Sequence, residues 1–276
     1  MQLKRLQQCQ LEILDEFKRV CEVHNIRYYL TYGTCIGAVR HKGFIPWDDD
    51  IDVFMTVDDI KKLEAVQGCF KSNFYLQSHK VEKDYGLLIH RIRKSDTTLI
   101  EDDHSDRDIN HGVYIDIYPL FNCYKDGYRK KLLSYSALVC RLFAYNAPPK
   151  NKGKLLTVLS GLLLNVVPSK LRDIIEKKLL DYILNVKETG YMSTIVDITD
   201  GVIYNKDWFG DPIFVDFEGE KLPIPAQYDC VLRTVYGDYM QLPPPEKRVV
   251  HHNYLFVDLE RPYVDYKGIH YCINEQ

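Results

Sequence analysis

Apolar residues recur at helical spacing from the start of the chain. Leu6, Ile13, Phe17 and Val20 fall on one face of a 3.6-residue period within a charged stretch, which predicts an amphipathic helix. The period then shortens. Residues 27–32 are rich in β-formers and predict a strand. Gly33 and Thr34 open a short helix that continues through Arg40. A loop at 43–47, containing Pro46, leads to a second strand at 50–55. Thr56-Val-Asp-Asp59 resembles a capping box, with Asp in place of Glu, and starts the next helix. Further strands are predicted at 74–77, 86–93 and 112–118. From 126 to 188 the pattern turns helical, divided by Pro148-Pro149 and Pro168. Beyond it, 214–217 and 220–224 read as a hairpin about Gly219. Residues 226–236 read as a helix ended by Gly237, and Leu242-Pro-Pro-Pro245 as a rigid turn. The fold class expected is α/β (α+β), a mixed sheet flanked by helices with a helical insertion. A single domain over 1–276 is expected, with a core at 1–125, a helical lobe at 126–188 and a mixed segment at 189–276 that completes the site.

Composition narrows this picture. A chain of 276 residues buries enough surface to need no covalent staples. A net charge of −3 gives no reason to expect a nucleic-acid partner. None of the eight cysteines forms a C-x-x-C pair, and several lie in apolar runs, which suits reduced core thiols and a cytoplasmic location. The first twenty residues are too charged for a signal peptide. The longest apolar run, 155–167, has thirteen residues, fewer than the roughly 20 that a spanning helix needs. The helical zone is basic: Arg129, Lys130, Lys131, Arg141, Lys150, Lys152, Lys154, Lys170 and Arg172 face few acids. Peripheral contact with the inner face of a membrane is therefore expected there.

The chemistry concentrates in Trp47-Asp-Asp-Asp-Ile-Asp-Val-Phe54. In a strand, Asp50 and Asp52 point to the same face, and two adjacent carboxylates repel unless a cation lies between them. Oxygen-only ligands favour a hard ion, Mg²⁺ or Mn²⁺. Asp116 lies in an otherwise apolar strand, where a buried carboxylate needs a partner. A neighbouring strand bearing Asp50 and Asp52 supplies one through a shared metal. A calcium loop counted from Asp48 fails, because its sixth residue is Val53 and its twelfth Asp59. Gly33 and Thr34 offer free backbone N–H groups at a helix start, suited to a phosphate. Arg40, Arg91 and Arg93 are candidate phosphate contacts; a solvated face and surface ion pairs are the alternatives.

Residues 33–53, Gly-Thr-Cys-Ile-Gly-Ala-Val-Arg-His-Lys-Gly-Phe-Ile-Pro-Trp-Asp-Asp-Asp-Ile-Asp-Val, closely resemble the signature of the LicD family. Tyr236-Gly-Asp-Tyr-Met-Gln-Leu-Pro-Pro244 resembles that family's closing motif. The resemblance implies a nucleotidyltransferase-like fold with acidic metal ligands at Asp48, Asp50, Asp52 and Asp116. It implies transfer of phosphocholine or a related phospho-alcohol from a CDP-activated donor, CDP-choline foremost, to a glycan or lipid-linked glycan at the cell surface, as in lipopolysaccharide or teichoic acid. Fukutin-related ribitol-phosphate transferases are similar around the same acidic motif. A glycosyltransferase with an Asp-x-Asp metal site, a nucleotidyltransferase proper and a non-catalytic binding module are the alternatives.

Overall fold

The computed structural model describes residues 3–148, 154–250 and 252–273. In chain order the elements are helix α1 (Leu3–Val23), strand β1 (Tyr29–Leu30), α2 (Tyr32–His41), β2 (Asp52–Thr56), α3 (Val57–Ala65), β3 (Phe74–Gln77), β4 (His90–Lys94), β5 (Thr98–Glu101), β6 (Val113–Asn122), α4 (Gly127–Tyr145), α5 (Lys154–Val166), α6 (Ser169–Leu184), β7 (Tyr191–Ser193), α7 (Asp197–Asp200), β8 (Tyr204–Asn205), β9 (Ile213–Phe217), β10 (Glu220–Ile224), α8 (Tyr228–Tyr236) and β11 (Tyr254–Asp258). Helix and strand are both substantial, and the fold is α+β. The chain forms two compact units, one of residues 1–77, 89–119 and 207–276, the other of 78–88 and 120–206.

In the first unit five strands lie side by side in the order β1-β2-β6-β4-β3. β1 runs antiparallel to β2, and β4 runs antiparallel to both β3 and β6. Val53, Met55, Ile92, Val113, Ile115 and Ile117 are fully buried along these strands, mostly β-branched side chains that fit a pleated surface. Leu6, Ile13, Phe17 and Val20 of α1 join the same core, so the helical period of the first residues carries its predicted face inward. Each such burial stabilises by roughly 1.5–3 kcal/mol. Thr56 caps α3, its hydroxyl accepting the Asp59 N–H at 3.2 Å. The β9–β10 hairpin turns at Glu218 and Gly219, whose φ values of 51° and 88° suit a primed turn.

Several boundaries differ from the expected ones. β1 is only two residues long, because Tyr32 already belongs to α2. β2 begins at Asp52, which leaves Asp50 in the extended loop ahead of it. Residues 86–89 are not a strand: a 3₁₀ turn at Lys83–Tyr85 ends on Gly86 with φ 71°, and β4 starts at His90. The antiparallel pair β5–β11 carries no clear sequence signal.

In the second unit α4 packs on α6, with Leu133, Ala137, Cys140 and Ile183 buried. His79 Nε2 lies 2.9 Å from the buried Glu176 carboxylate, and β7 pairs with β8. Pro149, Lys150, Lys152 and the side chain of Lys154 lie outside the described residues. All eight cysteines are free. No described helix is long and apolar enough to cross a membrane.

Candidate active site

The acidic turn sits between α2 and β2 and is fixed mainly through its backbone. From α1, Gln7 Nε2 donates to the Asp48 carbonyl at 2.9 Å and Gln10 Nε2 to the Asp49 carbonyl at 2.8 Å. The Thr34 hydroxyl accepts the Asp52 N–H at 2.9 Å, and the Thr31 N–H donates to the Asp52 carbonyl. Asp116 on β6 donates its own N–H to the Ile51 carbonyl at 2.8 Å, which brings it beside the acidic stretch. Carboxylate oxygens of Asp48, Asp49 and Asp50 all lie within 4.8 Å of one another. Asp48, Asp49, Asp52 and Asp116 are buried; Asp50 is partly open.

These carboxylates share too little compensation to stay ionised together. Burial, reinforced by Asp50 and Asp49, pushes Asp48 up to about 8. Burial raises Asp50 to about 6, with His252 opposing and Asp116 adding. Asp52 stands well above the carboxylate range through burial, Asp50, Asp116 and Asp48, against Arg91. Asp48 Oδ2 and Asp52 Oδ1 are buried with no hydrogen-bond partner. Orphaned acceptors of this kind, set among acidic oxygens, fit a hard divalent cation. The oxygens brought together for it among the described residues are those of Asp48, Asp49 and Asp50; Asp52 and Asp116, expected as ligands with Asp48 and Asp50, lie outside that group.

Gly33 lies against the same carboxylates. A Cβ added there would meet Asp48 Oδ2 at 2.7 Å, so glycine leaves Asp48 its place. Tyr32, the first residue of α2, has φ 44°, unusual for a bulky side chain, and edge-on rings of Phe54 and Tyr118, both centred 5.0 Å away, hold it there. The N-terminal turn of α2 thus starts beside the acidic cluster, and the first N–H groups of a helix have no partner within the helix. The Thr34 side chain is buried against Asp52, so only its backbone is left for an anion.

Residues 25–137 match the family model for the LicD/FKTN/FKRP nucleotidyltransferase domain. The chain is 29% identical over 258 residues to the lipopolysaccharide cholinephosphotransferase LicD of Haemophilus influenzae, a match covering 88% of this chain and 92% of that protein. It is 27% identical over 117 residues to the human ribitol 5-phosphate transferase FKRP, covering 41% of this chain and 21% of that protein. The stretch that bears the acidic turn, α2 and Asp116 is thus similar to LicD-type nucleotidyltransferase domains.

Within the matched residues the arginines depart from their expected place. Arg91 is buried, with Nε on Asp116 Oδ1 at 2.6 Å and its terminal nitrogens on Glu101 at 2.5 and 3.1 Å. Its guanidinium lies over the Tyr114 ring at 3.6 Å. Arg93 is fully buried and donates to Gln77 Oε1 and the Gly112 carbonyl. Both therefore act inside the protein and orient carboxylates, rather than offering a surface to the donor's phosphates. Burial alone would raise Glu101, but Arg91, a hydrogen bond from His104 and Arg93 hold it well below the usual range. Arg40 donates to the Tyr239 carbonyl at 2.6 Å, clasping the segment 33–53 to the closing motif 236–244.

His252 is a site residue the sequence does not announce. Its Nδ1 lies 3.1 Å from Asp49 Oδ1 and its Nε2 3.8 Å from Asp50 Oδ2. Burial opposes its charge, but a hydrogen bond to Asp49 and the charge of Asp50 raise it to about 9. Asp49 is thereby turned toward His252. Chemically, the site presents oxygen ligands for a cation, a helix start for an anion, and the His252 imidazole beside Asp50.

Proposed function

We propose that this chain moves a phospho-alcohol, phosphocholine foremost, from a CDP-activated donor to a hydroxyl of a cell-surface glycan or glycolipid precursor. CMP is the other product. The observation that supports this best is the set of buried, partnerless carboxylate oxygens on Asp48 and Asp52 at the start of α2. The names of the two transferase relatives point to the same chemistry.

Asp48, Asp50, Asp52 and Asp116 would hold Mg²⁺ or Mn²⁺. Such an ion neutralises charge on the transferred phosphate and on the leaving group. The chain's own residues do the rest. Gly33 and the backbone of Thr34 bind the donor's phosphates at the helix start. Arg91 fixes Asp116 by holding its Oδ1 and being held in turn by Glu101 and the Tyr114 ring. The acceptor hydroxyl oxygen forms a bond to the phosphorus that carries the alcohol, while the bond from that phosphorus to the oxygen of CMP breaks. The hydroxyl proton passes to a carboxylate of the cluster. Asp50 is best placed, because it is the most open of the four candidate ligands. His252 beside it supplies positive charge where the donor's phosphates arrive.

Incubation with CDP-choline, CDP-ribitol, CDP-glycerol and a UDP-sugar, with Mg²⁺ and a glycan acceptor, tests this reading. CMP release from a CDP-alcohol, abolished by EDTA, is the expected result. A nucleoside diphosphate released from the UDP-sugar, with no CMP from any donor, assigns the site to a glycosyltransferase instead.

A further inference from the structure

Helix α5 is inverted relative to a helix packed on its own protein. Val158, Leu159, Leu162, Leu163 and Val166 are exposed, from 37% to 76%. They fall at i, i+1, i+4, i+5 and i+8, which is one continuous stripe. The residues turned inward are mostly small or polar: Ser160 is 7% exposed, and Thr157, Gly161 and one leucine, Leu164, are partly buried. A helix facing water on this side would carry its polar residues there. α4 adds an outward stripe of its own at Tyr128, Leu132, Tyr135 and Leu138. Exposed apolar stripes of this kind need a cover.

Charge says what the cover is. Residues 78–88 and 120–206 contain 16 Lys and Arg against 9 Asp and Glu, leaving 20 against 30 in the rest of the chain. The unit that bears α5 is therefore strongly positive within a chain of net charge −3. The described part of α5 has no acidic residue, and Arg129, Lys131 and Lys170 on the neighbouring helices are exposed. We propose that α5 lies flat in the headgroup boundary of an anionic bilayer, its leucines in the acyl region and the unit's bases on the lipid phosphates. A second copy is the poorer cover, because it would bring two positive units together. Thirteen helical residues extend only about 20 Å, short of the roughly 30 Å hydrocarbon core, so the helix lies along the surface.

Flotation of the full chain with phosphatidylcholine vesicles, with and without phosphatidylglycerol, tests this. The expected result is binding to the anionic vesicles that falls about tenfold as salt rises from roughly 0.05 to 0.5 M, where charges are screened. Leu159→Glu with Leu162→Glu should lower vesicle binding about tenfold or more. Arg129→Glu with Lys131→Glu, on a separate helix, should weaken it severalfold at low salt and serves if the first pair does not fold. Absence of flotation with anionic vesicles at low salt overturns the proposal. So does wild-type flotation by a folded Leu159→Glu/Leu162→Glu variant. A concentration-dependent dimer in light scattering, dissolved by that variant and indifferent to lipid, assigns the stripe to a second copy and overturns it too.

Discussion

Asp52 has little freedom in its backbone. Its N–H is fixed by Thr34, its carbonyl by Thr31, and one of its carboxylate oxygens has no partner inside the protein. An uncompensated buried charge destabilises the fold, yet it is a good ligand for a cation. Asp52→Asn keeps the shape and removes the charge. Turnover, read as CMP release, should fall at least about a hundredfold, as when a group that stabilises transition-state charge is lost. The melting temperature in EDTA should rise, because the cost of burying an ionisable carboxyl there, reinforced by Asp50, Asp116 and Asp48, is gone. Near-normal turnover would show that Asp52 is not part of the chemistry. Asp52 and Asp116 could be singled out because an acid in an apolar run stands out against a two-residue period, whereas Asp50 lies in the loop ahead of β2 and sits with Asp48 and Asp49. Arg91 and Arg93 were legible as one side of a strand, but nothing in that period says the side faces the interior. Asp49, Glu101 and His252 acquire their roles through contacts between residues far apart in sequence: His252 lies 203 positions from Asp49.

At the scale of elements, α1 and α2 do more than their patterns indicate. The apolar period of α1 revealed its buried face, whereas Gln7 and Gln10, which pin the acidic turn, look like ordinary surface amides in sequence. The start of α2 was readable from Gly33 and Thr34, but the expectation placed their importance in the donor's phosphates alone. The structure adds that Gly33 makes room for Asp48. Gly33→Ala separates the two roles of the helix. Alanine is the better helix former by up to about 1 kcal/mol, so the metal-free melting temperature should hold or rise. Its Cβ would nonetheless displace Asp48, and Mg²⁺ or Mn²⁺ affinity measured by calorimetry should weaken about tenfold or more, as when a group that orients a ligand is altered. Unchanged metal affinity would remove Asp48 from the ligand set. The short β1 and the unforeseen β5–β11 pair have the same origin: strands of two to five residues carry too few periods to be distinguished from loops, and their partners lie far away in sequence.

For the molecule as a whole, the site and the fold are opposed through pH. Asp48 and Asp50 are raised from 3.8 to about 8 and about 6, so across that window the folded chain binds more protons than the unfolded one. Stability without metal should therefore decline as pH rises from about 5 through 8. His252, raised to about 9, acts in the same direction, since its stabilisation is complete below its unfolded value of 6.5 and is lost as pH passes 9. Glu16, lowered to about 2 by a hydrogen bond from Arg19, contributes stability that is complete above 4.5 and is lost only as pH falls toward 2, outside this window. A divalent cation held there would reverse the decline, because it would bind the ionised carboxylates and displace their protons. Thermal unfolding followed from pH 5.5 to 9, in EDTA and in millimolar Mg²⁺, should give a falling curve without metal and a flatter one with it. The stabilisation by metal should thus grow with pH, by the mass-action relation between ligand binding and stability. The same titration on Asp52→Asn should show a smaller response to both metal and pH. A metal-induced shift of equal size at pH 6 and pH 8.5 would mean that the ion binds somewhere other than this buried acidic cluster.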